Sequence, residues 1–96
     1  MSCETKDLKN KRVLRCAGDL GHLECEEIRK EVLSAFDQHR NLDVDLSRVS
    51  EAGTILVQVL LAARRTAAEV GVGFAVSAAS DAAKQAFERV GLEVGG

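Results

Sequence analysis

The chain has no tryptophan and no tyrosine, and phenylalanine occurs only three times. A core must therefore be assembled from Leu, Val, Ile and Ala, and aromatic platforms for stacking nucleic-acid bases are missing. Cationic blocks are missing too. The net charge is -2, so the electrostatic footprint of a nucleic-acid binder is absent. No apolar run reaches the roughly 20 residues that a membrane span needs. The opening Met1-Ser2-Cys3-Glu4-Thr5-Lys6-Asp7 contains no apolar stretch of the signal-peptide kind. These absences lead to an expectation of a cytoplasmic protein with no direct membrane insertion. The three cysteines, Cys3, Cys16 and Cys25, are odd in number and form no C-x-x-C. Free thiols are expected, with Cys16 as a small buried apolar residue, and a disulfide scaffold or zinc site is not.

What is present points to one domain. Ninety-six residues with 46% hydrophobic content suit a single modest core, and the whole chain, 1–96, is taken as that domain. The organising stretch runs from Leu42 to Ala63. Leu42, Val44 and Leu46 alternate with Asp43 and Asp45, the period of a half-buried strand. Ser47 to Gly53 is small and polar and reads as a loop. From Ile55 to Ala63 only Gln58 interrupts the apolar run. Ile55, Leu56, Val59, Leu60, Ala63, Ala67 and Val70 recur at helical spacing. Thr54 falls at the joint, where a helix N-terminus offers free N–H groups and partial positive charge.

The flanks supply the remaining elements. Cys3–Leu8 and Arg12–Ala17 read as a hairpin turned at Lys9-Asn10-Lys11. Gly18 to His22 reads as a loop whose glycines fit neither the dinucleotide nor the P-loop spacing. Leu23–His39 reads as a helix, with Leu23, Ile28, Val32, Ala35 and Phe36 inward, Cys25 outward, and His39 and Arg40 at its C-terminal dipole. The central helix should end at Gly71. Val72–Val76 reads as a strand and Ser77–Ser80 as a loop. Ser80 should cap a helix over Asp81–Val90 carrying Ala83, Ala86, Phe87 and Val90 inward. Gly91 ends it, and Leu92-Glu93-Val94 can form a last strand. The expected fold is α/β: a small mixed sheet of about four to five strands, in the order β-β-α-β-α-β-α-β, with about three helices mainly on one face.

Catalytic constellations are sparse. His22 and Cys25 lie one helical turn apart, too little for a nucleophile and base. Asp43 and Asp45 resemble the acidic pair of receiver domains, but the chain is short for that fold and lacks the later lysine on a strand. Turn or capping work is the simpler reading of Asp45. No enzyme, metal or cofactor is expected.

In order and spacing the chain resembles the STAS domain, the sulfate-transporter and anti-sigma-factor-antagonist family. The residues that carry the likeness are Gly18 with Leu20, Asp45-Leu46-Ser47, Val49-Ser50, Val57-Gln58-Val59-Leu60-Leu61, Ala63-Arg64, and Phe87 with Gly91-Leu92. They cover roughly residues 12–94. In bacterial members the joint reads Asp, then a Ser or Thr phosphoacceptor, then two small residues. Here the positions read Gly53, Thr54, Ile55 and Leu56: the hydroxyl is kept, the carboxylate is missing, and bulk is added. The resemblance implies a small stand-alone bacterial protein that binds another protein. Thr54 is the phosphoacceptor candidate, with Ser50 as fallback. Gly53, Thr54, Ile55, Val57 and Gln58 form the partner contact, and Asp45, Ser47 and Ser50 support the loop. Two partners are implied. One is a Ser/Thr kinase of the histidine-kinase fold that doubles as an anti-sigma factor, in a partner switch reset by a phosphatase. The other is the ATPase of a phospholipid-transport ABC system, bound by a constitutive accessory subunit. In either case nucleotide belongs to the partner.

Overall fold

The computed structural model describes residues 3–89. Its order is β1 (Cys3–Asp7), β2 (Lys11–Leu20), α1 (His22–Asp37), β3 (Asn41–Ala52), α2 (Thr54–Val70), β4 (Phe74–Ala79) and α3 (Asp81–Arg89). The four strands lie side by side in chain order. β1 pairs antiparallel with β2 as a hairpin, and β2, β3 and β4 run parallel. The expected last strand at Leu92–Val94, and Val90 of the third helix, fall outside the described residues.

One face of the sheet is covered. Leu14 and Cys16 of β2 and Leu42, Val44 and Leu46 of β3 are buried, while Arg15 and Ala17 between them are exposed. Onto that face pack Ile28, Val32, Ala35 and Phe36 of α1, then Leu56, Val57, Leu60, Ala63 and Ala67 of α2, and Ala83, Ala86 and Phe87 of α3. The i, i+3, i+4, i+7 spacing gives each helix one apolar stripe. Each large aliphatic side chain taken from water contributes about 1.5–3 kcal/mol. Phe36 and Phe74 meet edge to face at 6.4 Å between ring centres, joining α1 to β4.

Several boundaries differ from the sequence reading. Residues 18–20 belong to β2 and residues 47–52 to β3, not to loops. The two extensions pair with each other: Ala17 faces Arg48, Gly18 faces Val49, and Leu20 faces Ala52, with register shifts after Arg15 and after Gly18. At each shift β3 advances one residue further than β2, the mark of a bulge, and Gly18 takes φ +78 there. Such bulges break the two-residue period that betrays a strand. β4 begins at Phe74 and runs through Ala79. Val72 is excluded because its N–H joins that of Gly71 on the Ala67 carbonyl, at 3.0 and 2.9 Å, closing α2 through a left-handed Gly71. On α1 the order of burial reverses: Cys25 is buried and Leu23 is 73% exposed. α1 ends at Asp37 with no basic residue in its last turn. His39 turns the chain at φ +53, and the Arg40 guanidinium donates to the carbonyls of Leu8 and Lys11. It clamps the β1–β2 turn and does not neutralise a helix dipole.

Candidate functional site

Because β2, β3 and β4 are parallel and each feeds a helix, the N-termini of α1, α2 and α3 come to one edge of the sheet. Open parallel sheets place their binding crevices at this edge, beyond the carboxyl ends of the strands. The three termini are not alike. In α1 the Gly21 N–H donates to Glu24 Oε1 at 3.2 Å. In α3 the Ser80 hydroxyl accepts the Ala83 N–H at 3.2 Å, and Asp81 lies in the first turn. In α2 the N-cap is Gly53, which makes no side-chain cap, and the first turn holds no acid. Its partial positive charge is left without a carboxylate.

Thr54 is the first residue of α2 and is exposed. Ile55 is 45% exposed, Gln58 is exposed, and Ala62 is exposed one turn further on. At 3.6 residues per turn these four share one helix face. Leu56 and Val57 point the other way, at 0% and 1% exposure. Val57 is therefore a core residue, which corrects its placement on the contact surface. Ile55, expected on the partner contact, lies at the surface, and so does Val70, whose spacing aligned it with the apolar stripe.

The exposed face of α2 continues into a groove of about 330 Å³ against α1. Arg29, Val32, Leu33 and Phe36 form one wall, and Ile55, Gln58 and Val59 are on the other. Leu33 is 47% exposed. The sequence reading missed this wall. Its signal was Leu33, an apolar residue off the buried stripe of α1.

The residues assigned to loop support sit on β3. The Ser47 N–H donates to Asp45 Oδ1 at 2.9 Å. Hydrogen bonds from Ser47 hold the Asp45 carboxyl below the ordinary carboxylate range, helped by Arg15 and Arg48. The Ser50 hydroxyl donates to Asp19 Oδ1 at 2.9 Å, joining the two strand extensions. Neither candidate enzyme pair is assembled as one. His22 is exposed at the start of α1, whereas Cys25 is buried and its Sγ lies 3.8 Å from the Leu20 carbonyl oxygen. Asp43 is held by Lys11 Nζ at 3.1 Å. Among the described residues no cluster of three His, Cys, Asp or Glu could hold a metal ion, and no helix is long and apolar enough to cross a membrane.

Solved structures share the architecture. The unphosphorylated anti-sigma factor antagonist SpoIIAA superposes with a TM-score of 0.80 at 21% identity, over 94% of this chain and 81% of that one. An anti-sigma factor antagonist from Mycobacterium paratuberculosis gives 0.81 at 19% identity, over 93% and 76%. At such identities the likeness is one of fold. No curated protein matches significantly in sequence. The family described as "Mlab, STAS domain" matches residues 3–94. With that match spanning nearly the whole sequence, and the strand and helix order agreeing, the chain belongs to the STAS domain family.

Proposed function

We propose that this chain is a single-domain, cytoplasmic, bacterial regulatory module that docks another protein through the N-terminal turn of α2, and that Thr54 is its phosphoacceptor. The observation that carries this reading is the exposed Thr54 hydroxyl on a first turn with neither an acid nor a side-chain cap, flanked by exposed Ile55 and Gln58. A phosphate on Thr54 adds about two negative charges, which the helix N–H groups and dipole accommodate within the chain. A partner surface matched to Ile55 rejects the same charge, because burying it unpaired is costly. One modification thus abolishes docking and spares the fold. Ser50 is the weaker acceptor: its hydroxyl is engaged by Asp19, and Glu51 follows it in sequence, so a phosphate there meets like charge. The partner is a kinase of the histidine-kinase fold acting as an anti-sigma factor, and the module itself carries no catalytic machinery.

A second reading is favoured by Ile55 and by Gly53. The half-exposed Ile55 is continuous with the apolar wall of the α1–α2 groove, and the position directly before Thr54 is Gly53, without a carboxylate. Such a surface suits permanent apolar docking, as of an accessory subunit on the ATPase of a phospholipid-transport ABC system. An affinity pull-down from native cells, with and without ATP, separates the two. The switch predicts a kinase whose capture falls with ATP, together with a phosphate on the peptide carrying Thr54. The accessory subunit predicts transporter components and an unmodified Thr54. Binding that survives both Thr54→Glu and Ile55→Asp overturns both readings.

A further inference from the structure

We propose that Cys3 and Cys16 are an oxidisable dithiol that hydrogen peroxide closes into a disulfide, stapling edge strand β1 to β2. The two residues are register partners in the antiparallel pair. Their Sγ atoms are 3.8 Å apart, and the residues are 6% and 1% exposed. Directly opposed residues in such a pair have Cα atoms about 4.5–5.5 Å apart, inside the range of about 4.4–6.8 Å that a disulfide spans. Bond formation therefore calls for rotation of two side chains and not for movement of a strand. Cys25 is the third buried thiol, but its Sγ is directed at the Leu20 carbonyl.

Access favours Cys3 as the attacking thiol. It lines an open groove of about 530 Å³ between β1 and α1. The groove carries Glu4, Glu27 and Glu31 against the single cation Lys30, a balance that repels anionic oxidants such as glutathione disulfide and admits neutral peroxide. The facing Cys16 holds the Cys3 thiol below its ordinary pKa, against burial and the nearby glutamates, while the same contact and burial push Cys16 up. Cys3 is thus the better nucleophile and Cys16 the resolving thiol.

The chemistry balances with peroxide as the oxidant. The Cys3 sulfur, giving up its proton, attacks one peroxide oxygen. The O–O bond breaks, and the departing hydroxide takes the proton as water, leaving a sulfenic acid. The Cys16 sulfur then attacks the Cys3 sulfur. The S–S bond forms, the S–O bond breaks, and hydroxide leaves with the Cys16 proton as a second water. Two thiols lose two electrons, and one peroxide is reduced to two waters. In a reducing compartment the dithiol prevails, so the staple is set by an oxidative pulse and removed by thiol exchange.

The test uses the full chain, reduced, desalted, exposed to hydrogen peroxide, then denatured and blocked with N-ethylmaleimide. The expected product loses about 2 Da, two hydrogens, and takes up one maleimide where the reduced chain with its three cysteines takes three. Cleavage before Asp19, which separates Cys16 from Cys25, should map the link to Cys3 and Cys16. Cys25→Ala should link as well as wild type, whereas Cys3→Ser and Cys16→Ser should not. The oxidised chain should melt about 10 °C higher and return on reduction. Full maleimide uptake after peroxide, over-oxidation of Cys3 without a link, or a link through Cys25 overturns the proposal. The wild-type linkage map decides the matter even where a variant fails to fold.

Discussion

Thr54 and Leu56 stand two residues apart on α2 and answer to opposite demands. Thr54 is exposed, and Leu56 has no exposed surface. Thr54→Glu places a negative charge where the helix dipole favours it, so stability should change by no more than about 0.5 kcal/mol. If the α2 turn is the docking surface, partner affinity should nonetheless fall by about tenfold or more, since each factor of ten needs only about 1.4 kcal/mol. Titration of the purified variant against the captured partner, beside a melting curve, checks both halves. Leu56→Ala should do the reverse, costing about 2–5 kcal/mol through lost burial and a residual cavity. Far-UV circular dichroism in urea measures it, because the chain has no Trp or Tyr. At this scale the sequence was partly legible. Spacing placed Leu56, Leu60, Ala63 and Ala67 inward, but it could not rank Ile55 against Val57. They lie at opposite edges of the stripe, and spacing alone does not say which edge the rest of the fold covers. The same holds for Cys25 and Leu23, where the smaller residue is buried within the first turn of α1 and the larger points out.

Among the elements, the helices were easier to read than the strands. A helix advertises itself through its stripe and its ends. Ser80→Ala should cost about 1 kcal/mol, as loss of the N-cap to Ala83 does elsewhere. Gly71→Ala should cost about as much, because φ +79 strains any residue with a Cβ. Urea midpoints of the two variants against wild type test both values. The strands hid their length for a physical reason. Among the described residues, β3 is paired with β4 only as far as Leu46, and beyond that with β2 alone. Its outer half, Ser47 to Ala52, therefore buries only Val49 fully, with Ala52 packed partly against the core, and two bulges disrupt the alternation. The candidate site was legible as a joint, from Thr54 at the start of a buried helix. It was not legible as a surface, because the groove wall comes from α1, a separate helix earlier in the chain with all of β3 in between.

For the molecule as a whole, charge and pH set one more expectation. Among the described residues, Arg12 is the buried charged side chain. It donates to Asp7 Oδ1 at 2.7 Å and to Gln38 Oε1 at 2.9 Å, tying the hairpin to the end of α1. The contact with Arg12 lowers the Asp7 pKa, and that of Asp45 is lowered by Ser47. A carboxylate whose folded pKa lies below its unfolded one adds stability above the unfolded value and loses it as pH falls through the folded value. Urea midpoints should therefore hold between about pH 5 and 7 and decline below about pH 4, the ordinary carboxylate range. Asp7→Asn should make that decline shallower. The order of the sheet has a separate consequence. From β2 to β4, each described strand lies beside the one that precedes it in the chain, so each finds its template already made. During synthesis β1 and β2 can close first, β3 can zip onto β2 once α1 has emerged, and β4 can join last. A parallel sheet ordinarily makes a chain wait for distant partners. This one can assemble in the direction in which it is translated.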